Sequence, residues 1–366
     1  MKNTIGSSLS FTLFGESHGA EMGCVIDGLA PGLPVREESI AAALARRRPQ
    51  GDIGTPRVEM DNFRIVSGVF HGRTTGAPLC ILIANECKRS ADYECAPRLA
   101  RPSHADLAAF EKYHGFEDYR GGGHFSGRLT APIVAAGAIV RDALAARGII
   151  VCAHIASIAS VSDRSFADIP TEMQALSRLS PDRLPVLDEN AATAMTEAIL
   201  AAAREGDSVG GVVECAVLGM PAGVGEPFFD SVESVLSHWL FSIPAVKGVE
   251  FGDGFAITAL RGSEANDALY QSDEGVVTQT NHTGGICGGI TVGTPILLRA
   301  AIKPTPSIFK PQKTVSLPEK ENATLTLKGR HDPCIVPRAL PVVEAACALA
   351  LADLLALRFG TDYLNS

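Results

Sequence analysis

The chain has 366 residues, 46% of them hydrophobic and 20% charged, a globular composition that excludes a disordered chain. By length it holds about two domains or one large core. Lys and Arg number 32 against 41 Asp and Glu, a formal charge of −9, so the chain lacks the basic field that general nucleic-acid binding needs. The 23 Arg outnumber the 9 Lys. That bias fits an anionic small molecule gripped by guanidinium forks, and equally a GC-rich codon usage.

In chain order, residues 1–14 carry one Lys and no unbroken apolar run, so they do not read as a secretory signal. Hydrophobic patterning predicts β-strands over 23–27, 58–70, 79–83, 149–155, 211–218 and 294–302. It predicts helices over 37–47, 132–147, 189–204, 231–240 and 341–358. For the second helix, Thr130 is the expected cap and Pro132 suits the first turn. Ile133, Val140 and Leu144 share one face, and Gly148 ends the helix. The last helix is apolar nearly all round and is expected to be buried. Its apolar run over 345–357 is interrupted by Asp353 and is too short to span a bilayer. Helices and strands do not alternate regularly, which favours α+β, with helices layered on mostly antiparallel sheets. No repeat, low-complexity tract or Pro/Ser-rich linker divides the chain cleanly. Nine scattered Cys without a C-x-x-C read as free thiols in a reducing cytosol, with no zinc site. The expected setting is cytoplasmic, away from membranes.

Several segments carry chemistry. Gly15-Glu16-Ser17-His18-Gly19 fits G-x-S-x-G, which would make Ser17 the nucleophile of a serine hydrolase. That elbow needs a helix after it, yet a strand-like run and Pro31 follow; His18 stays a candidate acid or base among small residues. Arg46-Arg47-Arg48-Pro49 suits a helix C-terminus, and also an anion clamp with the loop over 51–57. In Arg101-Pro102-Ser103-His104-Ala105-Asp106 a stiff turn sets Arg101 beside His104, which works on a ligand or simply bonds Asp106. Arg120-Gly121-Gly122-Gly123-His124-Phe125-Ser126-Gly127-Arg128 is a glycine-rich loop feeding a helix, an arrangement that can receive an anion. It is neither a Walker A loop nor a strand-borne G-x-G-x-x-G. Lys303-Pro304-Thr305-Pro306-Ser307 offers an ammonium and two hydroxyls to a phosphate, or is a plain connection. Gly329-Arg330-His331-Asp332-Pro333-Cys334 sets cation, imidazole and carboxylate together, as a site or a salt-bridged turn.

With Ser242-Ile243-Pro244-Ala245-Val246-Lys247-Gly248-Val249-Glu250 and Asn281-His282-Thr283-Gly284-Gly285, these segments resemble the chorismate synthase family. The likeness runs from the first strand to the last helix, in the family's order. It implies a single domain over 1–366 built as a layered β-α-β sandwich, and a carbon–oxygen lyase of the shikimate pathway, serving aromatic amino-acid biosynthesis. That lyase converts 5-enolpyruvylshikimate 3-phosphate to chorismate and phosphate by anti-1,4-elimination. It also implies reduced FMN (FMNH2), with NADPH as a possible reductant of the flavin, and a homotetramer. Carried over, His18 would protonate the departing phosphate and His104 would manage flavin protonation. Asp332 would work with flavin N5 to remove the ring proton, and Ser17 and Ser126 would bond flavin or relay protons. Arg47, Arg48, Arg101, Arg128 and Arg330 would hold the substrate's anions. Phe125, Ser126, Gly127, Ala245, Gly288, Lys303, Pro304, Thr305, Pro306, Ser307 and Arg330 would line the flavin. Three positions depart from the family: Ser103 for Gly, Pro244 for Asn, and Ile53 where many members carry Arg. Arg57 is the nearest cation that could replace the last.

Overall fold

The computed structural model describes residues 2–49, 53–54, 60–86, 98–168, 184–273, 275–327 and 331–365. Its principal elements are β1 (Ser10–Gly15), β2 (Glu21–Asp27), α1 (Glu37–Arg46), β3 (Phe63–Ser67), β4 (Leu79–Ala84), α2 (Asp106–Tyr113) and α3 (Thr130–Ala146). They continue with β5 (Ile150–Ile158), α4 (Glu189–Arg204), β6 (Gly211–Leu218), α5 (Val232–Ser242), β7 (Val246–Phe251), β8 (Ile296–Ile302) and α6 (Val336–Phe359). One antiparallel sheet runs Thr4–Ile5, β1, β2, β4, β3. The other runs β7, β8, β6, β5, Val161–Ser162, also antiparallel. The helices form a layer between them: α3 packs on β2 and β4, α6 packs on β5 and β6, and the two helices pack on each other. This is the α+β sandwich expected.

Period-two alternation sets the sheet faces. In β4, Leu79, Ile81 and Ile83 are fully buried while Cys80, Leu82 and Ala84 are half-buried. Each such buried apolar side chain contributes about 1.5–3 kcal/mol. The central helices are apolar all round because they meet protein on every side, and 94% of the most apolar window of α6 is buried. They come into close contact at Gly137, where a Cβ would lie 2.7 Å from Ala345 Cα and nearer still to its Cβ. The two buried carboxylates of α6 are both engaged. Glu344 accepts from Arg46 at 2.5 and 3.0 Å and from the Ala153 N–H at 3.1 Å, and pairs with Arg141 at 2.8 Å. Burial works to raise its carboxyl, but Arg141 and Arg46 hold it below the usual range. Asp353 accepts the N–H groups of Ser7, Ser8 and Leu9 at 2.9, 2.7 and 2.8 Å, so the charge that interrupts the apolar run anchors the start of β1.

Three expectations need correction. Helix α6 starts at Val336, not 341; Pro337 takes the first turn, and Pro341 sits inside, tolerated because packing holds the helix. Thr130 is not the cap of α3: it lies in the helix, and its hydroxyl donates back to Gly127 O at 2.6 Å. The strand expected over 58–70 is broken. Of its length, 58–59 lie outside the described residues, Asp61 has a left-handed φ of 52°, and β3 covers only Phe63–Ser67. The described cysteines are free thiols, and burial pushes Cys152 and Cys334 up to about 12.

Candidate active site

The site starts from the turn 16–20 between β1 and β2, where Gly15 pairs with Met22. Buried Asn85, one residue past β4, fixes that turn. Its side-chain amide donates to Glu16 O at 2.9 Å and Gly19 O at 3.1 Å. The turn leads directly into β2, so Ser17 lacks the strand–turn–helix frame of a nucleophile elbow.

Ser17 Oγ can donate to the carbonyl oxygen of Arg120 at 3.1 Å or of Gly121 at 3.3 Å, and it lies 3.1 Å from His18 Nδ1. Above this pair pass Gly121, Gly122 and Gly123 with φ of 58°, 87° and 52°, a left-handed run that glycine adopts readily. A Cβ on Gly121 would lie 2.5 Å from His18 Nδ1 and nearer still to Cε1. A Cβ on Gly122 would lie 3.1 Å from Cε1 and 3.3 Å from Nε2 of His104. The loop thus separates two imidazoles that rest against neighbouring glycines.

His104 is oriented in turn by Asp106, the first residue of α2. His104 Nδ1 donates to Asp106 Oδ1 at 2.7 Å, and Arg101 grips the same carboxylate through Nε at 2.8 Å and Nη2 at 2.7 Å. Burial alone would raise Asp106, but the bonds from Arg101 and His104 hold its carboxyl well below the usual carboxylate range. Asp118 is likewise lowered, first by its bonds from Arg120 and further by the charge of His18.

An arginine shell flanks the histidines. Arg47, at the end of α1, lies 3.6 Å from Asp61 Oδ1, and Arg128 donates to the same oxygen. Arg128 also reaches Asn85 Oδ1 at 3.4 Å and Ala84 O at 3.3 Å. Two cations on one buried carboxylate leave the shell net positive, and Asp61 Oδ2 is buried with no partner among the described residues. Arg48 donates to Met60 O at 2.5 Å, and its Nε is buried without a partner there. Ile53 packs against the core rather than leaving a gap. Arg57 and Arg330 lie outside the described residues.

The third part is the 303–307 segment and the loop after 330. Lys303 Nζ donates to Ser103 O at 2.6 Å, joining that segment to the His104 turn. Partial burial, then the charge of Lys247, holds Lys303 below the usual lysine range. Ser208 donates to Thr305 O at 2.7 Å and the Val209 N–H to Pro333 O at 2.8 Å, so one short loop carries both segments. Thr305 Oγ1 and His331 Nε2 are buried without partners among the described residues. Burial and the nearby charge of Arg101 keep His331 below the ordinary imidazole range. Asp332 Oδ2 accepts from Arg338 Nη1 at 2.6 Å. Phe125 lies edge-on to Tyr113 with centroids 6.1 Å apart, Ser126 Oγ accepts from the Arg128 N–H at 3.3 Å, and a Cβ on Gly127 would meet open space. Ala245 has φ 75° and accepts the Lys303 N–H at 2.9 Å. Gly288 lies in the turn of the hairpin Ile286–Cys287 with Ile290–Thr291, and a Cβ there would meet open space; its neighbour Gly289 packs on Glu226 and Ser231.

Asp61, Asn85, Lys247 and Arg338 belong to this web and were not singled out from the sequence. Only Lys247 had a local signal, inside the 242–250 motif; the others are defined by contacts across the fold.

The chorismate synthase family model matches residues 9–356. The chain is 47% identical over 348 residues to chorismate synthase of Thermococcus kodakarensis, covering 95% of this chain and 96% of that protein. It is 46% identical over 361 residues to chorismate synthase of Dehalococcoides mccartyi strain BAV1, covering 98% of both. A crystal structure of chorismate synthase aligns with TM-score 0.78 at 29% identity, over 99% of this chain and 95% of that one.

Proposed function

The chain belongs to the chorismate synthase family, and from that premise we propose how its residues convert 5-enolpyruvylshikimate 3-phosphate to chorismate and phosphate. The reaction is a carbon–oxygen lyase step of the shikimate pathway, an anti-1,4-elimination that removes phosphate and a ring proton. The observation that carries the assignment is the pair of imidazoles on Gly121 and Gly122, each with Nδ1 bonded to an oxygen. His18 protonates the departing phosphate, with Ser17 bonded at its Nδ1. Arg47, Arg48, Arg101, Arg128 and Arg330 meet the substrate's phosphate and carboxylates, since growing charge on a leaving phosphate must be met by fixed cations. Asp332 takes part in removing the ring proton.

The residues present suit a flavin. Thr305 Oγ1 and His331 Nε2 are buried polar atoms with no partner among the described residues, and the crowded Lys247 and Lys303 charges favour an anion between them. Phe125, Ser126, Gly127, Ala245, Gly288 and the 303–307 segment with Arg330 would hold it, and His104, fixed by Asp106, would manage a proton at its edge. Bound there, reduced FMN would supply transient electron density to the elimination, with no net redox change.

One domain over 1–366 is supported by the large buried cluster that runs from Leu9 to Leu364 among the described residues. Assembly as a homotetramer is supported by exposed apolar side chains, among them Phe228, Phe229, Phe255 and Leu269. The free thiols fit a cytoplasmic setting. Neither a nucleic acid nor a membrane enters this reading. Anaerobic phosphate release from the enolpyruvyl substrate tests the function: it should require reduced FMN. Equal release without flavin would overturn it.

A further inference from the structure

Arg338 stands on the first turn of α6, and its guanidinium joins two segments of the site. Nη1 donates to Asp332 Oδ2 at 2.6 Å, and Nε donates to the carbonyl oxygen of Arg47 at 3.0 Å. The first contact grips the carboxylate assigned to the ring proton. The second reaches the main chain at the end of α1, where the Arg47 side chain turns toward Asp61. The group is well placed to act as a rigid brace. Its own N–H is bonded to Ile335 O at 3.1 Å, and Pro337 and Ala339 beside it are buried. Asp332 is 9% exposed and the Arg338 side chain 20%, so the pair is largely withdrawn from the water that makes surface pairs weak.

We propose that Arg338 is a positioning residue for the elimination. It sets the orientation of the Asp332 carboxylate and the offset between Asp332 and the arginine shell, so that carboxylate and bound anions meet the same substrate molecule. The proposal rests on the Asp332 assignment above. Both contacts come from one planar group, so a lysine, which supplies a single point charge on a flexible stem, cannot reproduce them together. A displacement of about 1 Å at a reacting group costs roughly 10²-fold in rate.

The test compares flavin-loaded wild type, Arg338→Lys, Arg338→Gln, Asp332→Asn and the double variant Arg338→Gln with Asp332→Asn. The substrate is used unlabelled and with deuterium at the ring carbon that loses its proton. Both Arg338 variants should lose about 10²-fold in kcat. Their KM and FMN affinity should stay within about threefold, and the deuterium effect on kcat should rise. In the Asp332→Asn background the Arg338 change should add nothing, as expected for two groups acting as one. If Arg338→Gln fails to fold, Arg338→Lys keeps the charge and carries the comparison. A fully active Arg338→Lys, a loss carried in KM alone, or a fall in kcat without a larger isotope effect would overturn the proposal. A fully active Asp332→Asn would overturn the underlying assignment and this proposal with it. An inactive Asp332→Asn beside a fully active Arg338→Gln would overturn the proposal alone.

Discussion

His18 occupies the space where any side chain on Gly121 would begin: a Cβ there would lie 2.5 Å from its Nδ1 and 3.1 Å from Ser17 Oγ. Gly121→Ala should therefore displace the imidazole, with added backbone strain of about 1–2 kcal/mol from its left-handed φ. We expect kcat to fall by about 10² or more, with thermal unfolding reporting the strain separately. A variant within about threefold of wild type would show that His18 is not held where the chemistry needs it.

His18→Ala and His104→Ala should each lower turnover by about 10² to 10⁴, the usual range for a positioned acid or base. Substrate and flavin should still bind, because the anion contacts are assigned to arginines. Full activity in either variant would refute that residue's role.

In the second sheet, buried His154 bonds Glu214 at 2.8 Å through Nε2 and Asp163 at 3.2 Å through Nδ1. Burial works to lower its pKa, but the two carboxylates outweigh it and raise it above the ordinary imidazole value. Its contribution to stability is full below about pH 6.5, the unfolded value, and is lost as pH rises through the raised folded value. Glu214 and Asp163 are held below the usual carboxylate range by His154 despite burial. Their share is present above that ordinary range and fades as pH falls through the lowered values. Urea unfolding across this range should show an alkaline fall that His154→Gln flattens. Identical slopes in both proteins would contradict this account.

Ser103 has φ 59°, a conformation costly to any side chain. Ser103→Gly relieves about 1–2 kcal/mol of strain against about 0.5–1 kcal/mol of added chain entropy. The bond from Lys303 goes to the Ser103 carbonyl and survives the change. Denaturant unfolding should show a gain of up to about 1 kcal/mol; a clear loss would mean the turn is not strained.

Much of the fold was legible because local signals agree with packing. Helix α4 spans Glu189–Arg204 and strand β6 spans Gly211–Leu218, as the pattern predicts, with Asp188 accepting the Asn190 N–H at the helix start. The start of α6 was misread because Pro341 looks like a first-turn residue until Pro337 is seen to fill that place. In the site, His18, His104 and the glycine loop could be read because each lies in a contiguous motif. Asp61 could not, since it meets Arg128 from 67 positions away, nor could Arg338, which meets Arg47 across 291. Such roles exist only once the sheets and helices have closed.

In the proposed mechanism two histidines separated by a glycine loop drive an elimination rather than a hydrolysis. Simultaneous measurement of phosphate and chorismate from 5-enolpyruvylshikimate 3-phosphate, anaerobically with reduced FMN, tests it most directly. Equal molar yields are expected in the wild type, with parallel loss of both products in His18→Ala and His104→Ala. Phosphate released without chorismate, or undiminished chorismate from either variant, would contradict it.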